Sequence, residues 1–387
     1  MKAAGAVERV VMLGVPLARL DMQETVEWID RAVASREPHQ VATANVNFLA
    51  LGQRDPEFLR ILQAASLVTC DGTPLFWASR AQRAPLPERV TGADLVPRLC
   101  ELAARRGYRL FFMGSAGSTE EAARRLCARY PGLQIAGCES PPYGPIETWD
   151  NARYCARIRE AGTDLLLVGF GAPKQDRWLA GHLRESGAAV GIGVGATFDY
   201  VAGRVPRAPR VARALGLEWA WRIAMEPRRL WRRYLVDAVI VAPRLARQLW
   251  TSRAAERRAG RDGRARVQVR RTGPHGKVGV LALAGAFPPE RLDLVCRATR
   301  GILGVPPGLV LDLSAAGFLA ATVLGELTAL VGRVLAANGQ AAIVASATAR
   351  RQLESSGLGG LAPFARSLGE AIGRVHAGGG RPMVVAA

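Results

Sequence analysis

The chain has 387 residues, 49% hydrophobic and 22% charged, which excludes a disordered polymer and leaves room for two domains with buried cores. Lys and Arg number 52 against 33 Asp and Glu, a formal net charge of +19, so the expected partners are anionic: nucleic acid, acidic lipid or a phosphorylated substrate. The six cysteines form no CxxC pair and the histidines do not cluster with them along the chain, which argues against a zinc or disulfide framework and suits a reducing cytoplasm.

Glu8, Arg9 and Arg19 interrupt the apolar residues of the N-terminus, unlike a signal peptide. No stretch approaches the roughly 20 apolar residues of a spanning helix. A soluble or surface-bound protein is expected.

Up to about residue 203 apolar runs alternate with amphipathic ones. "VATANVNFLAL", "LVTCDGTPLFW", "YRLFFMGSAGS", "LQIAGCES", "DLLLVGFGAPKQ" and "AVGIGVGATFD" each read as a strand running into a loop, with helices predicted between them at Ala93–Arg106 and Thr119–Tyr130. The alternation predicts an α/β, Rossmann-like domain over 1–203 with a largely parallel sheet. Ligands in such sheets bind beyond the carboxyl ends of the strands, here Asn45, Asp71, Gly114, Gly171 and Asp199.

From 204 to 253 arginine and tryptophan crowd a helical apolar pattern. This predicts two or three amphipathic helices broken at Pro227 and Pro243. Residues 254–276 are basic, polar and glycine-containing, the composition of a linker. A second pattern of strands and helices at compact spacing predicts a small α/β domain over 277–376, and 377–387 reads as a frayed tail.

Several residues have the chemistry of a site. Asp71 follows an apolar run and precedes Gly72, as a general base at a strand end would; a turn or helix-cap aspartate would look the same. Thr43, Asn45 and Asn47 alternate, which on a strand puts three small polar groups on one face, for a sugar, a nucleotide or a buried polar ladder. Gly114 and Ser115 lie between a strand and a helix, where backbone N–H groups favour phosphate. Gly169 and Gly171 precede Lys174 and Gln175 at a helix start, a second candidate anion loop. Gly195 and Asp199 belong to "GIGVGATFD", whose glycine spacing fits a dinucleotide fingerprint poorly. That counts against a nucleotide-dependent oxidoreductase. In the basic tail, arginines interleave with Trp219, Trp221 and Trp231, a combination suited to a lipid headgroup boundary, with nucleic acid or core packing as competing readings.

The segments "TANVNFL", "CDGTPLFW", "RVTGADL", "LFFMGS", "GFGAPKQDRWL", "GVGATFDYVAGRVPRAPRV" and "GLEWAWRIAMEPRRLWRRYL" occur in the order found in the WecG/TagA/CpsF family of bacterial glycosyltransferases. The chain resembles that family from about Val10 to Trp250. The resemblance implies an inverting, metal-independent transfer, without cofactor, from a UDP-sugar to an undecaprenyl-diphosphate-linked sugar. The setting would be the inner face of the plasma membrane, in teichoic acid, common-antigen or exopolysaccharide synthesis. It implies a base at Asp71, contacts to substrate at Thr43 and Asn45, and donor contacts at Gln175 and its loop. The basic tail is implied to reach over the site and touch anionic membrane. Arg207, Arg210, Arg222, Arg229, Arg232 and Arg233 are then candidates to neutralise the leaving diphosphate.

The C-terminal segment "LVLDLSAAGFLAATVLGELTALVGRVLAANGQAAIVAS", with "LESSGL" after it, resembles a STAS domain. Where that family carries a phosphorylatable serine this chain has Ala321, so the usual phospho-switch is not expected; Thr322 is either a substitute or a structural helix cap, and the domain is expected to bind a partner or ligand or to support assembly. The alternative to an enzyme is a non-catalytic basic adaptor, holding membrane or nucleic acid by its tail and a protein partner by its STAS-like end. The joint presence of Asp71, Thr43, Asn45 and Gln175 favours the enzyme, for which nucleic acid is not an expected partner.

Overall fold

The computed structural model describes residues 7–259, 265–272, 278–302 and 308–377, and not the side chains of Arg210, Ala214 and Arg229. All but the first residue of the expected tail lies outside the described residues.

The chain opens on an antiparallel hairpin, β1 (Arg9–Met12) and β2 (Val15–Ala18). Both turn residues, Leu13 and Gly14, have positive φ, which lets a two-residue turn follow the strand twist. Helix α1 (Met22–Ser35) starts at a capping box made by Asp21 and Glu24. Then come β3 (His39–Ala44), α2 (Val46–Gly52), α3 (Pro56–Ala64), β4 (Leu67–Cys70), α4 (Thr73–Ala81), α5 (Gly92–Arg106), β5 (Arg109–Met113), α6 (Ser118–Arg129) and β6 (Gln134–Glu139). They are followed by α7 (Asn151–Glu160), β7 (Leu165–Val168), α8 (Lys174–Ser186), β8 (Val190–Gly193) and the short α9 (Thr197–Val201).

Strands β3 to β8 form one sheet in the order β4-β3-β8-β7-β5-β6, every pairing parallel. Strands β4, β7 and β8 are buried along their whole length, which is why they read as unbroken apolar runs. The α/β fold with a parallel sheet is as the alternation predicted. Because all six strands run the same way, their carboxyl ends share one edge.

The basic segment forms α10 (Arg210–Ala214), α11 (Glu218–Met225) and α12 (Pro227–Ala259). Pro227 opens α12, where its missing N–H costs nothing. Pro243 does not break it: the helix runs through, giving up only the bond that residue 243 would have donated to the Val239 carbonyl. The stretch composed like a linker carries the end of α12 and a strand, β9 (Arg266–Thr272).

The C-terminal elements are β10 (Val278–Phe287), α13 (Leu292–Ile302), β11 (Gly308–Leu313), β12 (Ala316–Leu319), α14 (Ala321–Ala336), β13 (Gln340–Ala345), α15 (Ala347–Ser356), β14 (Phe364–Ala365) and α16 (Leu368–Ala377). They build a second sheet, parallel except for β9, which pairs antiparallel with β10.

By contacts the chain divides into two compact units. One comprises residues 20–77 and 86–239, with the first sheet; the other gathers 1–19, 78–85 and 240–387, with the second sheet and the hairpin. In the first, Phe111, Met113, Leu166, Val168 and Trp178 pack one buried cluster. In the second, Leu281, Phe287, Leu311 and Leu327 do so, joined by Val11 of the hairpin.

Candidate active site

The carboxyl edge of the first sheet gathers most of the residues singled out above. Asp71 continues β4, its N–H donating 2.8 Å to the Ala44 carbonyl of the neighbouring strand. At Gly72 the space is tight: a Cβ there would stand 3.2 Å from Asn45 Cα. Asn45 and Asp71 therefore sit on adjoining strand ends.

Thr43, Asn45 and Asn47 do not share a strand face. Strand β3 stops at Ala44, Asn45 caps α2 by accepting from the Asn47 N–H at 3.1 Å, and Asn47 is inside that helix. Asparagine at a strand end is a strong helix starter, and that local preference overrode the period-two reading. Thr43 is buried and its hydroxyl donates 2.9 Å to the Gly193 carbonyl, tying β3 to β8.

Around Asp71 the fold assembles charges from distant segments. The Val90 N–H donates 2.9 Å to the Cys70 carbonyl and the Thr69 hydroxyl donates 3.1 Å to the Val90 carbonyl. These bonds hold Arg89 and the start of α5 beside β4. Arg89 donates to the Thr73 hydroxyl at 3.2 Å and to the Arg213 carbonyl at 2.9 Å. Gly216, with positive φ, presses on Thr73, where a Cβ would stand 2.6 Å from Cγ2. The segment joining α10 to α11 is thereby drawn onto the loop that carries Asp71. Arg222 of α11 lies 5.4 Å above the Tyr200 ring.

Asp71 is enclosed by protein yet keeps partial exposure. Burial pushes its carboxyl up to about 7; Arg222 pulls it down, Glu218 pushes it up, and Arg89 and Asp94 act more weakly in the same two senses. Arg222 stays charged: burial lowers its pKa, but Tyr200, Tyr234, Asp71 and Glu218 together raise it further. The adjacent Cys70 thiol is pushed up to about 12, chiefly by burial, so no thiolate competes with the carboxylate. A strand-end carboxyl that burial pushes up to about 7, within the influence of a charged Arg222, has the properties of a general base for a hydroxyl next to an anion.

The second group braces loops. Gln175, buried at the start of α8, accepts from the Gly171 N–H at 3.1 Å and the Gly195 N–H at 3.0 Å, joining the loops after β7 and β8. Behind it lies Asp176, fully buried, with no well-formed hydrogen bond to either carboxyl oxygen. Burial pushes it up to about 7, against weaker opposition from its own backbone N–H and the Gln175 side chain. Gly114 and Gly169 make room for Phe198, whose ring would be 2.9 and 2.7 Å from a Cβ at those positions. Ser115 is exposed. Asp199 sits in α9 and accepts from the Ser118 hydroxyl at 2.6 Å. Lys174 turns away from the Gln175 brace: its ammonium donates to the Gly144 carbonyl and lies 4.8 Å from the Trp149 ring centre.

The arginines divide. Arg222, over the Tyr200 ring, is the cation that acts most on the Asp71 carboxyl. Arg207 pairs with Asp94 at 2.8 Å and lies 3.7 Å from Glu218. Arg232 and Arg233 are exposed on α12, each over its neighbouring aromatic ring. The side chains of Arg210 and Arg229 lie outside the described residues. Tyr200, Glu218, Arg89, Asp94 and Asp176 were not singled out from sequence. "RVTGADL" contained the signal for Arg89 and Asp94, and "KQDRW" the signal for Asp176. Among the described residues one group could hold a metal ion: Cys155, His182 and Glu185. It lies on α7 and α8 and is formed by packing, which the spacing of these residues did not disclose. Cys155 is pushed up to about 11, chiefly by burial.

Comparison with known proteins agrees with the first resemblance. The model of the glycosyl transferase WecG/TagA/CpsF family matches residues 10–255. A protein of Staphylococcus aureus (strain MW2), described as an N-acetylglucosaminyldiphosphoundecaprenol N-acetyl-beta-D-mannosaminyltransferase, is 30% identical over 227 residues, covering 58% of this chain and 87% of that protein. Its counterpart in strain MRSA252 is 29% identical over the same share. The crystal structure of an anti-sigma factor antagonist from Mycobacterium paratuberculosis is 26% identical over 29% of this chain and 94% of that one, with a TM-score of 0.26.

Proposed function

The chain belongs to the WecG/TagA/CpsF family of glycosyl transferases, and on that premise we propose that it moves a sugar from a UDP-sugar to an undecaprenyl-diphosphate-linked N-acetylglucosamine, with inversion. The observation that carries this reading is the place of Asp71 at the end of β4, against Asn45 of the adjoining strand, where burial pushes its carboxyl up to about 7 and the charge of Arg222 draws it down.

In the proposed step the acceptor hydroxyl oxygen attacks the anomeric carbon of the donor. Its proton passes to Asp71, and the bond to UDP breaks with the electron pair leaving on the diphosphate. One carboxylate suffices for a single displacement. Both substrates carry a diphosphate, and in this scheme Arg222 neutralises one brought next to Asp71. The Gln175 brace fixes the two glycine loops at the same edge, a position for the donor's phosphates. No metal is required by this scheme.

The relatives' described activity makes UDP-N-acetylmannosamine the first donor to test, with its uronic acid and UDP-glucose after it. Among the described residues no helix is long and apolar enough to cross a membrane. We propose peripheral attachment instead. On α12, Trp231, Leu235 and Val239 are exposed at helical spacing, among the exposed Arg228 and Arg232, as in a helix lying at a headgroup boundary. The test is a screen of UDP-sugars against a lipid-diphosphate-N-acetylglucosamine acceptor, with the new linkage read by NMR. An inverted anomeric configuration supports the scheme. A retained one contradicts it.

A further inference from the structure

The N-terminal hairpin and the C-terminal sheet share one core. Val11 is fully buried in the same cluster as Leu281, Phe287, Leu324 and Leu327. At two points the backbones come too close for any side chain. On α14 a Cβ at Gly325 would stand 2.7 Å from the Arg9 carbonyl oxygen. At Gly357, which ends α15 with φ +83°, a Cβ would stand 2.6 Å from the Gly14 nitrogen.

The polar groups are matched as closely. Arg9 pairs at 3.3 Å with Glu326, which is itself buried and accepts from the Thr299 hydroxyl at 2.9 Å. Arg333 adds a second cation, 3.7 Å from Glu326. From α12, the Gln248 amide donates 2.9 Å to the Val11 carbonyl and accepts 3.0 Å from the Leu13 N–H.

Such a surface is specific. Without Arg9 the buried Glu326 would lose the nearer of its two cations, and Gly325 leaves on α14 the room that the Arg9 backbone takes. The hairpin and Gln248 lie within or at the edge of the family match, whereas Gly325, Glu326 and Gly357 lie beyond it. The Staphylococcus aureus relative, 87% of which is matched, has too little left over for a counterpart of the second sheet.

We propose that the α14–α15 face of the C-terminal domain is an interaction surface whose occupant is this chain's own N-terminal hairpin, held in cis, so that the domain is a built-in cover for the hairpin and not a module free to recruit a second protein through that face. This does not depend on the transferase reading.

The test uses the full chain. Sedimentation of the unaltered chain gives its mass, and amide exchange at a concentration where the chain is monomeric reads the hairpin. Protection in the monomer is expected; protection that appears only in a dimer would mean that the hairpin sits on a neighbouring copy and would overturn the proposal. Hairpin amides should exchange at least about 100-fold slower than an unstructured reference, and Gly325→Val should abolish that protection. Unprotected hairpin amides in the unaltered chain, or protection unmoved by Gly325→Val, would overturn it.

Discussion

If Asp71 is the base, the pH profile of transfer is set by its carboxyl. A pKa of about 7 leaves about a tenth of it ionised at pH 6, half at pH 7 and nine-tenths at pH 8. On a soluble acceptor analogue, kcat/KM should therefore fall about tenfold per unit below pH 7 and flatten above it. Asp71→Asn should remove the limb and lower turnover by roughly two to four orders of magnitude, with UDP binding nearly intact. The neighbours give the sharper check, because their signs are opposite. Arg222 favours the ionised form, so Arg222→Gln should move the midpoint to higher pH, beyond whatever rate it costs. Glu218 favours the neutral form, so Glu218→Gln should move the midpoint to lower pH. The assay is UDP release across pH 5.5 to 9 for the four proteins. A flat profile, or an acid shift in Arg222→Gln, would refute the assignment.

Three further outcomes follow from other parts of the structure. Gln175→Ala releases the Gly171 and Gly195 loops together, and should raise the donor KM more than it lowers kcat, measured by steady-state kinetics. Asp176 has a folded pKa raised to about 7, so folding favours its neutral form, and the stability it leaves intact below about pH 4 is lost as pH rises towards 7. Asp176→Asn should then gain about 2–4 kcal/mol at pH 8 and little at pH 4, read by denaturant melts at both; an equal effect at the two pH values would contradict this. On α12, Trp231→Ser with Leu235→Ser should weaken binding to anionic vesicles at all salt concentrations, while Arg228→Ala with Arg232→Ala should weaken it mainly at low salt; co-sedimentation at two ionic strengths separates them.

The parallel sheet was legible because its buried strands are short apolar runs between amphipathic helices. The strand-end position of Asp71 was legible because it ends such a run. What escaped was set by local competition or by distance. Asn45 looked like a strand residue because "TANVN" alternates, yet an asparagine beside a strand end caps a helix, and here it does. Pro243 looked like a break, but a proline removes one helical hydrogen bond, and the helix runs through on the rest. Nothing in "APKQ" foretells the Gly144 carbonyl and Trp149 ring that Lys174 contacts. Tyr200, Glu218 and Arg89 reach Asp71 only through the fold, from segments far apart in sequence. The Arg9–Glu326 pair joins the two ends of the chain, and no local pattern encodes it.

The central claim is an Asp71-dependent transfer of sugar from UDP to a lipid-linked acceptor. It is tested most directly by UDP release from UDP-N-acetylmannosamine by the purified full chain, in EDTA, with and without lipid-diphosphate-N-acetylglucosamine, beside Asp71→Asn. The account expects release that needs the acceptor, survives EDTA and is nearly lost in the variant; release that Asp71→Asn leaves unchanged, or that EDTA abolishes, would contradict it.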